Sequence, residues 1–217
     1  MGLTLIIGNK NYSSWSMRPW LALAHHEIPF EEVVVPLDRP DTRSRILQYS
    51  AAGKVPILID GDATVWETLA ILEHLNERFP AARLWPRDPA ARAHARAVAT
   101  EMHGGFAALR GHCPMNLRRK KKRALTPDVQ AEIARTTSIW RGARERFGGG
   151  GDYLFGEFSA ADCMYAPVAT RFVSYAIDVD PVSGAYVAAI YRLPAFVAWR
   201  DAALAEPWGH SVTDAVG

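Results

Sequence analysis

Cysteine is nearly missing from this chain: Cys113 and Cys163 are the only two in 217 residues. Two cannot build a disulfide framework, and the absence of any C-x-x-C pair argues against thiol–disulfide exchange. The seven histidines offer no metal set. His25 and His26 are adjacent, His103 and His112 stand apart, and no H-E-x-x-H pattern joins any of them, so no metal is expected. A G-x-S-x-G elbow is also absent, which leaves a serine hydrolase without support. No apolar run approaches the ~20 residues that cross a bilayer. The N-terminus lacks the basic segment and long apolar stretch of a secretory leader. Together these absences predict a soluble cytoplasmic protein that does not contact membranes.

An excess of one charge sign is lacking too. The formal net charge is +2, so the chain as a whole is no polyanion binder. Residues 118–123, Arg-Arg-Lys-Lys-Lys-Arg, are a local exception. Six cations in a row could grip a phosphate backbone, but no aromatic residue is interleaved. The run reads as a solvated loop between helices, and nucleic acid is not expected as a partner. The glycines at 148–151 lack G-x-G-x-x-G spacing and follow a helix, so they read as a flexible connector.

Most of the information lies in residues 53–75, GKVPILIDGDATVWETLAILEHL. Ile57, Leu58 and Ile59 form a short β-run, Asp60-Gly61-Asp62 a turn, and Thr64 to Trp66 the return strand. A helix then opens on Glu67-Thr68, carries Leu72, Leu75 and Phe79 at helical spacing, and is stopped by Pro80. A cis Val55-Pro56 bond would turn the Val55 main chain outward to pair with an extended peptide. The first N–H groups of the next helix favour a carboxylate, and Glu67 can hold an ammonium. These three devices side by side suit a small zwitterionic peptide.

The rest of the chain supplies a frame. Residues 3–8 read as a buried first strand, followed by a polar loop (residues 9–16) and a helix with Trp20, Leu21, Leu23 and Ala24. A β-run over 32–36 and a helix over 43–49 lead into the segment above. This alternation predicts a mixed sheet with helices on both faces, and the loop after the first strand lies where α/β folds place ligands. With 49% hydrophobic residues the chain can bury two compact units. A boundary is expected near 80–89, where three prolines interrupt the pattern. Asp88-Pro89 reads as an N-cap and first helical residue. Beyond it one long helix is expected over 90–112 and another over 126–147. Ser159 and Asp162 form an S-x-x-D capping box, a structural role.

The order of strand, Val-Pro, hairpin and Glu-Thr helix resembles the glutathione-binding domain of soluble glutathione transferases, which usually carry Glu-Ser or Gln-Ser where this chain has Glu67-Thr68. The loop Ser13-Ser14-Trp15-Ser16-Met17-Arg18-Pro19-Trp20-Leu21-Ala22-Leu23 resembles the S-x-x-x-x-R-x-x-[IL]-A-L pattern of serine-type members such as the tau and zeta classes. The resemblance implies an α/β N-terminal thioredoxin-like domain over residues 1–80, a linker over 81–89, and an all-α C-terminal helical domain over 90–217. It also implies a cytoplasmic, homodimeric detoxification enzyme with glutathione as cosubstrate.

Carried over by spacing, the Ser13 hydroxyl faces the glutathione sulfur, with Ser14 and Tyr12 as alternatives. A free thiol has a pKa near 8.5, and lowering it by about two units takes roughly 2.7 kcal/mol. One hydroxyl hydrogen bond to an anion contributes about 1.5–3 kcal/mol. The competing role for these serines is helix capping, for which Ser16 is better placed. Glutathione binding is assigned to Lys54, Val55, Glu67 and Thr68. Lys54 pairs with the glycyl carboxylate in the tau-like pattern, although a solvated surface lysine is the plain alternative. Arg39 and Arg43 could also reach a carboxylate. The second substrate, a small electrophile, is expected between the domains, against Met102 and Phe106 on one side and Tyr12 and Trp15 on the other. Such apolar stripes also serve as plain core. The expected activity is glutathione S-transfer. The alternatives are a glutathione-dependent isomerase of the maleylacetoacetate type and a non-catalytic glutathione-fold binding protein.

Overall fold

Alternating apolar runs build a four-stranded sheet at the N-terminal end of this computed structural model, which describes residues 2–216. The elements are β1 (Leu3–Ile7), α1 (Ser14–His25), β2 (Phe30–Val34), α2 (Thr42–Leu47), β3 (Ile57–Asp60), β4 (Ala63–Trp66) and α3 (Thr68–Arg78). Sheet order is β2-β1-β3-β4, with β1 and β2 parallel and β3 antiparallel to both neighbours. The central strand β1 is the apolar LTLII run, and Leu5, Ile6 and Ile7 are wholly buried because helices cover both of its faces. The second β-run lies at residues 30–34 rather than 32–36. Its register on β1, from Leu3 opposite Phe30 to Ile7 opposite Val34, decides the matter.

Helices follow: α4 (Pro89–Gly104), α5 (Ala107–His112), α6 (Pro127–Phe147), α7 (Ala160–Ser174), α8 (Pro181–Arg192), α9 (Pro194–Ala205) and α10 (Ser211–Asp214). Asp88 caps α4 by accepting the Ala91 N–H at 2.7 Å, with Pro89 as its first residue. The single helix expected over 90–112 is broken. Gly105 ends α4, and a side chain there would bring Cβ within 2.7 Å of the Glu101 carbonyl. Phe106 then takes a left-handed turn (φ 58°) that starts α5 on a new axis. The capping box opens α7, where the Asp162 carboxylate accepts the Ser159 N–H and hydroxyl, both at 2.9 Å.

The sheet portion and the helical portion share one hydrophobic cluster, from Leu5 and Leu21 through Met164 and Phe172 to Trp199. Helix α7 is its axis, packed against α1 and α4 and buried along nearly its whole length. Among the described residues, no single helix is long and apolar enough to cross a membrane.

Candidate functional site

Pro19 sets one edge of the site. It lies inside α1 and has no N–H, so the carbonyl of Trp15, one turn back, loses its helical partner. The hydroxyl of Thr68, the first residue of α3, donates to that carbonyl at 3.2 Å. The starts of α1 and α3 are thereby tied together. A cavity of about 240 Å³ opens beside them, lined by Trp15, Lys54, Val55, Glu67 and Thr68. The Val55-Pro56 bond is cis, and the Val55 main chain makes no hydrogen bond to another described residue. No side chain caps α3, so its first N–H groups have no side-chain partner. Glu67 takes a positive φ of 68°, a conformation that costs about 1–3 kcal/mol and is typical of ligand clamps. Its side chain is 57% exposed, with the carboxylate 3.6 Å from His103 Nε2. Arg39 and Arg43 are not among the lining residues.

The two candidate serines sit at the start of α1 and are nearly buried. Ser13, not Ser16, is the N-cap: its Oγ accepts the Ser16 N–H at 3.4 Å and donates to Ser16 Oγ at 2.7 Å. Ser16 is unavailable for capping because its hydroxyl accepts the Gly8 N–H at 3.1 Å. Ser14 Oγ accepts from Arg171 Nη2 at 3.4 Å, and the Ser14 carbonyl accepts from Arg18 Nη1 at 2.8 Å. Neither serine lines the cavity itself, which their neighbour Trp15 does. Tyr12 faces elsewhere, donating to the Asp214 carboxylate at 2.9 Å, and burial together with Asp214 raises its pKa. Met102 and Phe106 are packed into the core. Of the four residues expected to form a second pocket, Trp15 is the one on the cavity.

His103, Arg110 and Trp66 also line the cavity, beside Ala52 and Pro56, and none of the three was expected there. His103 and Arg110 flank the Gly104-Gly105 break. The signal for them was two basic side chains on either side of an apolar stripe, but the new direction of α5 is what aims Arg110 at Trp15. Its guanidinium lies 5.4 Å from the Trp15 ring centre, and that of Arg18 lies 4.2 Å away. The basic run lies in the loop between α5 and α6, with Arg118, Lys120, Lys121 and Lys122 exposed as expected, but its two leading arginines are tied down. Arg118 donates to the carbonyls of Ala203 and Trp208 at 3.0 Å, and Arg119 to that of Asp214 at 3.0 Å. Backbone carbonyls of the C-terminal segment thus hold Arg118 and Arg119, while exposed Lys122 pairs with Asp178 at 3.4 Å. Among the described residues no cluster of three or more metal-ligating side chains occurs.

A family model described as "Glutathione S-transferase, N-terminal domain" matches residues 12–78. Those residues, which run from the loop before α1 to the end of α3, are similar to a glutathione S-transferase N-terminal domain. A probable maleylacetoacetate isomerase of Caenorhabditis elegans is 34% identical over 110 residues, 51% of this chain and 51% of that protein. The chain thus spans about half the length of this relative. Maleylacetoacetate isomerase of Rattus norvegicus is 29% identical over 182 residues, 78% of each chain. A solved glutathione transferase homolog from Burkholderia GL BGR1, with bound glutathione, superposes with a TM-score of 0.73 at 23% identity, covering 95% of this chain and all of that one. The glutathione transferase fold therefore extends over both portions of the chain. Within it, the cavity lies against the cis-proline loop and the start of α3, with His103 of α4 and Arg110 of α5 facing them.

Proposed function

We propose that this chain is a glutathione S-transferase that binds glutathione in the cavity between Lys54 and Thr68. The observation that carries the reading is the free Val55 main chain beside the uncapped start of α3. In this reading Val55 pairs with the peptide backbone, Lys54 and the α3 N–H groups take its carboxylates, and Glu67 takes the ammonium. Ser13, with Ser14 as the alternative, steadies the thiolate, aided by the dipole of α1. The thiolate then attacks a small electrophile. A homodimeric, cytoplasmic detoxification enzyme fits this role.

A second reading, isomerisation of a maleyl-type acid with return of the thiol, is favoured by the names of the relatives above. It uses the same glutathione and the same serine. The deciding measurement is ultraviolet titration of bound glutathione in wild type, Ser13→Ala and Ser14→Ala. The expected result is a thiol pKa about two units below the free value in wild type, with most of the shift lost in Ser13→Ala. Turnover of an aryl halide and of maleylacetoacetate separates transfer from isomerisation. Glutathione bound with an unshifted thiol and no turnover of either substrate would favour a non-catalytic protein.

A further inference from the structure

Three arginine side chains converge behind Trp15 with no carboxylate among them. Arg18 and Arg171 are buried, and neither they nor Arg110 form an ion pair with a described residue. Arg171 is held by the carbonyls of Cys113 and Pro167 at 2.9 and 2.8 Å, and Arg18 by that of Met164 at 3.0 Å. Arg18 Nη2 is buried without a partner. Arg110 is freer still. Its Nε is buried and unpartnered, and its guanidinium donates to no described residue while lining the cavity. Burial and mutual repulsion lower the pKa of Arg18, and bring that of Arg171 down to about 10. Uncompensated cations in a low-dielectric interior are costly unless an anion offsets them.

We infer that Arg110, backed by Arg18 and Arg171, is a subsite for the carboxylate of a small organic acid, and that the second substrate is therefore an anionic electrophile. Calling the acid a second substrate rests on the transferase reading above; the anion subsite itself does not. In that reading both glutathione carboxylates already have takers in Lys54 and the α3 start, and its sulfur has the serines. The planar guanidinium fork of Arg110 presents paired donors that match a carboxylate.

The test compares 4-chloro-3-nitrobenzoate with its methyl ester. In either case the glutathione sulfur forms a C–S bond at the ring carbon, chloride leaves with the bonding pair, and the thiol proton passes to solvent. The expected result, after correction for uncatalysed rates, is a preference for the acid in kcat/KM that falls roughly tenfold or more in Arg110→Ala and is partly restored in Arg110→Lys. An unchanged preference would overturn the subsite.

Benzoate binding, followed by tryptophan fluorescence in the presence and absence of S-methylglutathione, provides the second readout. Binding that is weakened by Arg110→Ala and indifferent to S-methylglutathione supports the subsite. Displacement by S-methylglutathione would assign the arginines to the cosubstrate and overturn it. Intact benzoate binding with no transfer to either compound would sink the transferase reading while upholding the anion site.

Discussion

Glu206 and Lys10 lie at opposite ends of the chain, yet the Glu206 carboxylate accepts the Lys10 N–H at 2.6 Å and, through its other oxygen, the Asn11 N–H at 3.1 Å. The Trp199 indole closes the same loop by donating to the Lys10 carbonyl at 3.0 Å. The backbone leading into Ser13 is thus fixed from the C-terminal end of the chain as well as by its own turn, in which the Tyr12 and Ser13 N–H groups donate to the Asn9 carbonyl at 3.1 and 2.8 Å. Replacing Glu206 with Gln leaves one acceptor and sets an NH₂ against an N–H. The expected loss is about 1–3 kcal/mol in denaturant unfolding, accompanied by a rise in the pKa of bound thiol. Unchanged stability would mean that the loop needs no such tie.

Arg118 and Arg119 should matter to the same region. The double replacement with Ala removes the donors to the carbonyls of Ala203, Trp208 and Asp214. Faster amide exchange over residues 206–216 is the expected outcome, with a drop in Tm of a few degrees. Exchange that stays slow would refute a clamping role.

Thr68 and Pro19 form a testable pair. Thr68→Val leaves the Trp15 carbonyl without a donor from either side, at a cost of about 1–3 kcal/mol. Pro19→Ala returns a helical N–H to that carbonyl, so the double variant should recover part of the loss. A double-mutant cycle measures the coupling, and strictly additive effects would contradict the geometry.

Asp162 supplies a pH dependence. Burial pushes its carboxyl up from 3.8 to about 6, against the lowering effect of the Leu154 and Ser159 hydrogen bonds. Because the folded value is the higher one, its favourable contribution is complete below about 3.8 and is lost as pH rises through about 6. The difference amounts to about 3 kcal/mol. Asp162→Asn should flatten the stability profile between these limits in urea titrations. A slope identical to wild type would show that other groups control it.

The segment from Ile57 to Arg78 was legible because turn residues, β-branched runs and a helix stop all act locally. The Ser159–Asp162 capping box was legible for the same reason. Ser13 as N-cap was not, since the choice between it and Ser16 depends on where the Gly8 N–H points. Arg110 escaped because the Gly104-Gly105 pair marks a weak point in a helix without giving the direction that the chain takes after Phe106. Residues 118–123 were legible as an exposed loop, but the anchoring of Arg118 and Arg119 was not, because the carbonyls they reach lie nearly a hundred residues later and carry no sequence signature.

One contact limits how this protein could be recombined. Arg18 of the serine-bearing helix reaches the Met164 carbonyl on α7 at 3.0 Å, inside apolar packing that α1 and α7 hold in common. Cutting the chain after Phe79 would bare that guanidinium and the side of α1 beneath it. A chimaera that borrows this sheet must import the matching stretch of α7 as well, or its serine loop will arrive without a floor.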